Sequence, residues 1–209
     1  MKNRPDVDFI IFDLGNVLID IDYQRSISLI KAELPSALHD RVDGCYAAEF
    51  HKGYERGELD SLAFRDAFRD YFEQNWSDTK VDFLWNSLLG KLPAYRLDLV
   101  RKLKSQYQVG ILSNTNAIHI EAVEGILQAE HGMDNFDTLF DWVFYSHEMG
   151  LAKPSAAIYQ QLLQELDTQP SRVLFFDDLL ANVQGAAALG IQAVQVTGPA
   201  TLLDYFGDV

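Results

Sequence analysis

Positive charge is scarce in this chain. Its 209 residues carry 17 Lys and Arg against 31 Asp and Glu, a formal net charge of −14 at neutral pH. From Ser105 to Val209 there are only two cations, Lys153 and Arg172. A nucleic-acid surface needs clustered cations to displace counterions, so that class of partner is excluded. Cysteine is nearly absent. The lone Cys45 precludes an internal disulfide, a thiolate metal cluster and a paired redox motif, and a reducing, cytoplasmic setting is expected. Long apolar runs are missing too. Asp6, Asp8 and Asp13 punctuate the N-terminal MKNRPDVDFIIFDLG, so export is not indicated. Leu179 to Leu203 lacks charge, but Asn182, three glutamines, Gly185, Gly190 and Pro199 break it, which argues against a membrane helix. Buried strand and helix are expected there instead.

An apolar fraction of 48% is enough to bury a sizeable core. Short apolar runs at Phe9–Phe12, Val109–Leu112, Trp142–Tyr145 and Val173–Phe176 read as strands buried on both faces, with a last strand at Ala193–Val196. Helical patterns lie between them at Tyr95–Gln106, Ile118–Gln128 and Ala156–Leu166, and another ends near Gly190. Strands alternating with helices predict an α/β fold with a doubly wound parallel sheet. The alternation fails from 20 to 92, where helical periodicity dominates and Phe64, Phe68 and Phe72 share one stripe, with Asp60 as the expected N-cap. The expected organisation is a Rossmann-like core of residues 1–19 and 93–209, with an all-helical insert at 20–92. Ten aromatics between Tyr46 and Trp85 are expected to form the insert's own core.

Ligands of open parallel sheets bind at the carboxyl ends of the strands. The residues there are Asp13, Ser113 with Asn114, Lys153, and Asp177 with Asp178. A carboxylate can attack phosphorus when cations neutralise the phosphoryl charge, which makes Asp13 the candidate nucleophile. Adjacent Asp177 and Asp178 would repel each other in a bare site, whereas a hard divalent cation makes the pairing favourable; magnesium fits best. Ser113 offers a hydroxyl, Asn114 a backbone N–H and Lys153 a point charge to the phosphoryl oxygens.

IIFDLGNVL, ILSNTN, GLAKP and LFFDDLLAN follow the order, and nearly the spacing, of four motifs of the haloacid dehalogenase-like hydrolase superfamily. The chain resembles that family over almost its whole length, and the helical insert resembles the small cap of its subfamily I. The resemblance implies Asp13 as a phosphorylated nucleophile, Ser113 and Lys153 as phosphate holders, and Asp178 as a metal ligand. It also implies that the Gly15 carbonyl reaches the metal, with Asp177 either a neighbouring ligand or a partner one layer out. The DLGNV form looks like a branch that includes a sugar phosphatase acting on glucose 1-phosphate. The expected activity is therefore magnesium-dependent hydrolysis of a small phosphorylated metabolite, a sugar phosphate above all.

The sequence departs from the family pattern at Gly15, where most phosphatases of the superfamily place an Asp that protonates the leaving oxygen. Candidate substitutes are Asp20 and Asp22 in the linker to the insert, and His51 or Glu55 on an expected insert helix. Leu179 is a second departure, standing where a polar residue usually follows the metal-binding acid. Two other readings compete: a 2-haloacid dehalogenase, against which the Asp177–Asp178 pair argues, and a weakened phosphate-binding regulatory module. The mobile insert would hinge near Asp20 and Leu92.

Overall fold

A computed structural model describes residues 6–207. The chain begins with β1 (Phe9–Phe12) and passes through α1 (Tyr23–Ala32), α2 (His39–Gly44), α3 (Glu49–Glu55), α4 (Ser61–Phe72) and α5 (Asp78–Asn86). Alternation resumes with α6 (Ala94–Lys104), β2 (Gln108–Ser113), α7 (Ala117–His131), β3 (Trp142–Tyr145) and the single turn α8 (Ser146–Met149). It ends with α9 (Ala156–Glu165), β4 (Val173–Asp177), α10 (Leu180–Ala187), β5 (Gln192–Gln195) and α11 (Thr201–Phe206).

The five strands form one parallel sheet in the order β3-β2-β1-β4-β5. The chain builds outward from β1 through β2 to β3, then crosses to β4 on the other side, so the switch of direction falls at the carboxyl end of β1. Register then aligns the functional residues. Phe12 pairs with Ile111 and with Phe176, which brings Asp13 level with the ends of both neighbouring strands. The Asp13 N–H donates to Phe176 O at 2.8 Å, extending the ladder by one rung.

Alternate residues of β1 supply opposite faces of the core, as strand geometry requires. Ile10 and Phe12 join Leu97, Val100, Val123 and Phe206 on one face; Phe9 and Ile11 join Ile158, Tyr159, Leu162 and Ala186 on the other. The expectation of strands buried on both faces holds for β1 and β4 but not for the edge strands. Trp142, Val143 and Phe144 of β3 are half-buried, and β5 runs from exposed Gln192 to half-buried Gln195. An edge strand has a neighbour on one side only, so helices cover it incompletely. The uncharged stretch from Leu179 is likewise less buried than its composition predicts, since Leu179 is 57% exposed and Leu180 52%.

The helices between β1 and α6 have a core of their own. Ile30, Val42, Tyr54, Phe64, Phe68, Phe72, Val81 and Trp85 are buried together, and the α4 stripe lies at its centre. Asp60 caps α4 by accepting from the Ala63 N–H at 2.8 Å, as its position predicts. One expected core aromatic, Phe83, lies outside instead: it is 56% exposed, with Lys80 Nζ 5.6 Å above its ring. Where the chain enters and leaves the insert, the two segments pair: Gly90 N–H donates to Asp20 O, Asp20 N–H to Lys91 O and Asp22 N–H to Leu88 O.

Gly57, at φ +68°, ends the turn after α3 and presses on the core, because a Cβ there would lie 2.1 Å from His147 O. Gly57→Ala therefore combines backbone strain with a clash and is expected to cost about 2–4 kcal/mol in denaturant unfolding. Gly132→Ala, also left-handed at φ +67° but facing open space, is expected to cost only about 1 kcal/mol. Equal losses from the two variants would contradict the proposed contact.

Candidate active site

Lys153 occupies the centre of the strand-end cluster. Its side chain is fully buried, and Nζ donates to Asp13 Oδ1 at 2.8 Å, Asp177 Oδ2 at 2.6 Å and Leu112 O at 2.8 Å. The loop bearing it is clamped by Asn114: the Lys153 N–H donates to Asn114 Oδ1 at 2.8 Å, while Asn114 Nδ2 donates to Lys153 O at 2.9 Å. Asn114 thus does more than offer the backbone N–H expected of it. Ser113, at the end of β2, is buried, and its hydroxyl has only a long 3.5 Å contact to Asn114 O, which leaves it available to a further partner.

Asp177 has its acceptor positions filled. Oδ1 accepts from the Leu179 N–H at 2.8 Å and from Asn182 Nδ2 at 3.0 Å, while Oδ2 accepts from Asn182 Nδ2 at 3.0 Å as well as from Lys153. The Leu179 N–H and Asn182 thus orient Asp177, although Leu179 offers no polar side chain to the Asp178 that precedes it. Asp178 faces the other way: its Oδ2 accepts from Asn16 Nδ2 at 2.9 Å, joining the loop after β1 to the loop after β4. Asn16 adopts φ 55°, a left-handed conformation that Asn tolerates, and its Oδ1 accepts from the Ile21 N–H. Neither Asn16 nor Asn182 is singled out by sequence reasoning. Both lie inside quoted motifs, but the pairing that gives them a role spans 162 residues in one case and one turn of α10 in the other.

Carboxylate oxygens of Asp13, Asp177 and Asp178 all lie within 4.8 Å of one another. Burial pushes the Asp13 carboxyl up to about 7 despite the adjacent ammonium, with Asp177 adding repulsion. Burial likewise raises Asp178. For Lys153, burial works against the charged form, but Asp13 and Asp177 outweigh it and hold the ammonium above its ordinary pKa. Three converging carboxylates beside one cation leave negative charge uncompensated, and their oxygens are the donors a hard divalent ion takes. The residues fit such an ion, with Asp13, Gly15 and Asp178 lining the cavity and Asp177 committed to Lys153.

A cavity of about 310 Å³ separates this floor from the helical insert. Asp13, Ser113, Lys153 and Asp178 line it from the strand ends, Tyr46, His51 and Glu55 from the insert, together with Ile21, Leu88 and Leu89. Of the four candidate substitutes for the acid absent at Gly15, only His51 and Glu55 reach this space. Asp20 pairs with buried Arg96 at 2.8 Å, and Asp22 caps α1 by accepting from the Arg25 N–H. His119, missed in the sequence, also lines the cavity: its ring stacks on Trp85, its Nδ1 meets Asn86 Oδ1 at 2.8 Å, and burial lowers its pKa to about 3.

A parallel sheet of this order, with a buried acid–lysine–acid cluster at its switch point and a helical insert beside it, defines a doubly wound α/β protein with a ligand site at its strand ends. The chain belongs to the haloacid dehalogenase-like hydrolase family, which matches residues 7–190. It is similar to a D-ribitol-5-phosphate phosphatase of Bacteroides thetaiotaomicron, 26% identical over 89% of this chain and 90% of that protein. A sesquiterpene phosphatase of Aspergillus oryzae is 37% identical over 90% and 88%. Among solved structures, a magnesium complex of a family enzyme from B. thetaiotaomicron has a TM-score of 0.88 at 30% identity, covering 97% of this chain and 100% of that one. The wild-type enzyme with magnesium and inorganic phosphate has a TM-score of 0.79 at 29% identity, covering 90% and 93%.

Removing the central ammonium should expose the charge crowding directly. Lys153→Met is expected to destabilise the fold by about 3–5 kcal/mol at pH 8, where the buried acids are left unpaired. Without the ammonium, the Asp13 carboxyl is pushed further above its unfolded value, so the penalty is full at high pH and fades as it protonates on acidification. Denaturant melts at pH 8 and pH 5 measure this, and an equal loss at both values would contradict it.

Proposed function

We propose that the protein is a magnesium-dependent phosphatase that hydrolyses a small phosphorylated metabolite, preferably a sugar or polyol phosphate, through a phosphoryl group carried on Asp13. The observation that carries this reading is the convergence of Asp13, Ser113, Lys153 and Asp178 on one cavity floor. Magnesium, held by Asp13, Asp178 and the Gly15 carbonyl, would supply positive charge to the phosphoryl oxygens and to the Asp13 carboxylate. The phosphatase names of the similar proteins, and the phosphate beside magnesium in one solved relative, support the same reaction class.

The chain's own groups divide the work. One Asp13 oxygen attacks phosphorus while Lys153, anchored by Asp177 and Leu112 O, stabilises the spreading negative charge and keeps Asp13 in position. Ser113 donates to a phosphoryl oxygen. The ester oxygen departs away from Asp13, toward the insert, and a water later attacks from that same side to release phosphate. Residues 20–92 act as a cap over this chemistry, moving about the crossings near Asp20 and Leu92 to admit substrate and release product. A cavity of about 310 Å³ suits a small organic group rather than a polymer. The net charge of −14 disfavours anions at long range, so affinity must arise inside the cleft. The nearly cysteine-free composition fits a cytoplasmic setting.

Release of inorganic phosphate from a panel of sugar, polyol and other phosphates tests this reading, with and without magnesium. Release is expected only with magnesium, and Asp13→Asn should lower it by at least about 10⁴-fold by removing the nucleophile. Undiminished release after chelation, or from Asp13→Asn, would overturn it. Magnesium should also raise the melting temperature more at pH 8 than at pH 6, because protons compete for the raised Asp13 carboxyl. An effect that shrinks with rising pH would contradict the assignment.

A further inference from the structure

The cap contributes a proton-carrying pair to the lining of the cavity that holds Asp13. His51 and Glu55 lie one turn apart on α3, with His51 Nε2 3.2 Å from Glu55 Oε1. His51 Nδ1 is 2.7 Å from Tyr46 O, a carbonyl that can only accept. The Nδ1 proton is therefore fixed, and a second proton on Nε2 is what Glu55 favours. Both side chains are largely buried, at 12% and 21% exposed, and both line the cavity that holds Asp13. The imidazole is held on its flanks by edge contacts to Tyr46 and Trp85.

We propose that His51 is the general acid and base of the reaction, taking the role left empty at Gly15, and that Glu55 is the residue that positions and charges it. This rests on the phosphatase reading above and deepens it. In the first step, the leaving oxygen replaces Glu55 Oε1 as the partner of the His51 Nε2–H; the ester P–O bond breaks with its electron pair passing to that oxygen, which takes the Nε2 proton. Asp13 then carries the phosphoryl group, and His51 is neutral. In the second step, water attacks phosphorus and gives a proton to His51 Nε2, while the bond to Asp13 breaks and returns the electron pair to the carboxylate. The pair ends as it began. In-line attack sends the leaving oxygen away from Asp13 and into the cavity that His51 and Glu55 line.

Other candidates in the cleft are less suited. Asp178 is taken up by Asn16 and by the cation site, and His119 presents an unprotonated Nε2 because its one proton is directed to Asn86. For His51, burial opposes the charged form, but the hydrogen bond and charge of Glu55 and the Tyr46 carbonyl outweigh it, so its pKa lies above the ordinary imidazole value. The titratable groups facing it are Glu55 and Lys52 on its own helix, Tyr46 before it, and His119 across the Trp85 ring; Tyr23 faces Glu55. The acid must be protonated, so activity on poor leaving groups should fall as pH rises through this raised value.

The test compares primary-alkyl phosphates (ribose 5-phosphate, glucose 6-phosphate, glycerol 3-phosphate) with p-nitrophenyl phosphate, whose leaving group departs without protonation. With full-length protein and magnesium, His51→Gln is expected to lose about 10²–10⁴-fold on the alkyl esters, yet keep a pre-steady-state burst of nitrophenolate within about tenfold of wild type. Glu55→Gln should lower alkyl activity at neutral pH and move its alkaline limb to lower pH, while leaving the aryl burst in place. Wild-type alkyl turnover in His51→Gln, equal losses on the alkyl ester and the aryl burst, or an unmoved limb in Glu55→Gln would overturn the proposal. So would a wild type that cleaves the aryl ester alone. A wild type inert toward both ester classes would remove the phosphatase reading itself, a different outcome from an active enzyme indifferent to His51.

Discussion

One buried ammonium group organises this protein. Lys153 Nζ bonds Asp13, Asp177 and Leu112 O, and so ties together β1, β2 and β4, the three adjacent central strands of the sheet. Burying a lysine is costly unless it is paired, and burying these acids is costly unless they are neutralised. The site meets both demands only in part. Two carboxylates satisfy the ammonium, but the third, Asp178, is held by the neutral amide of Asn16. The surplus negative charge suits a divalent cation.

The surrounding architecture holds that cluster in register. Parallel pairing of Phe12 with both Ile111 and Phe176 sets Asp13 at the level of its partners without any loop rearrangement. Asparagines then complete the frame: Asn114 clamps the Lys153 backbone, Asn182 holds both Asp177 oxygens, and Asn16 bridges to Asp178. Amides suit this task because they donate and accept without adding charge to an already crowded site. The aromatic core of the insert fixes α3, and with it His51 and Glu55 in the cavity lining.

Much of this was legible in the sequence, for identifiable reasons. Asp13, Ser113 and Asp177 stand out because each follows an apolar strand run, and Lys153 because cations are so rare around it. The helical insert declared itself by losing the strand period. What the sequence concealed is spatial. The Asn16–Asp178 bond links residues 162 apart, and the Asp177 oxygens are filled by partners one turn away on α10, contacts that no local pattern predicts. The partial exposure of β3 and β5 depends on strand order, not on their composition. Likewise, four residues were equal candidates for the missing acid, and only the folded cavity separates His51 and Glu55 from Asp20 and Asp22.

The central claim is that Asp13 becomes phosphorylated during turnover. Acid-quenching the magnesium-loaded enzyme during hydrolysis of a phosphate ester, followed by peptide mapping by mass spectrometry, reads this directly. The account predicts a phosphoryl group on the peptide containing Asp13, absent when magnesium is chelated. Steady hydrolysis with no phosphoryl group on that peptide at any quench time would contradict it.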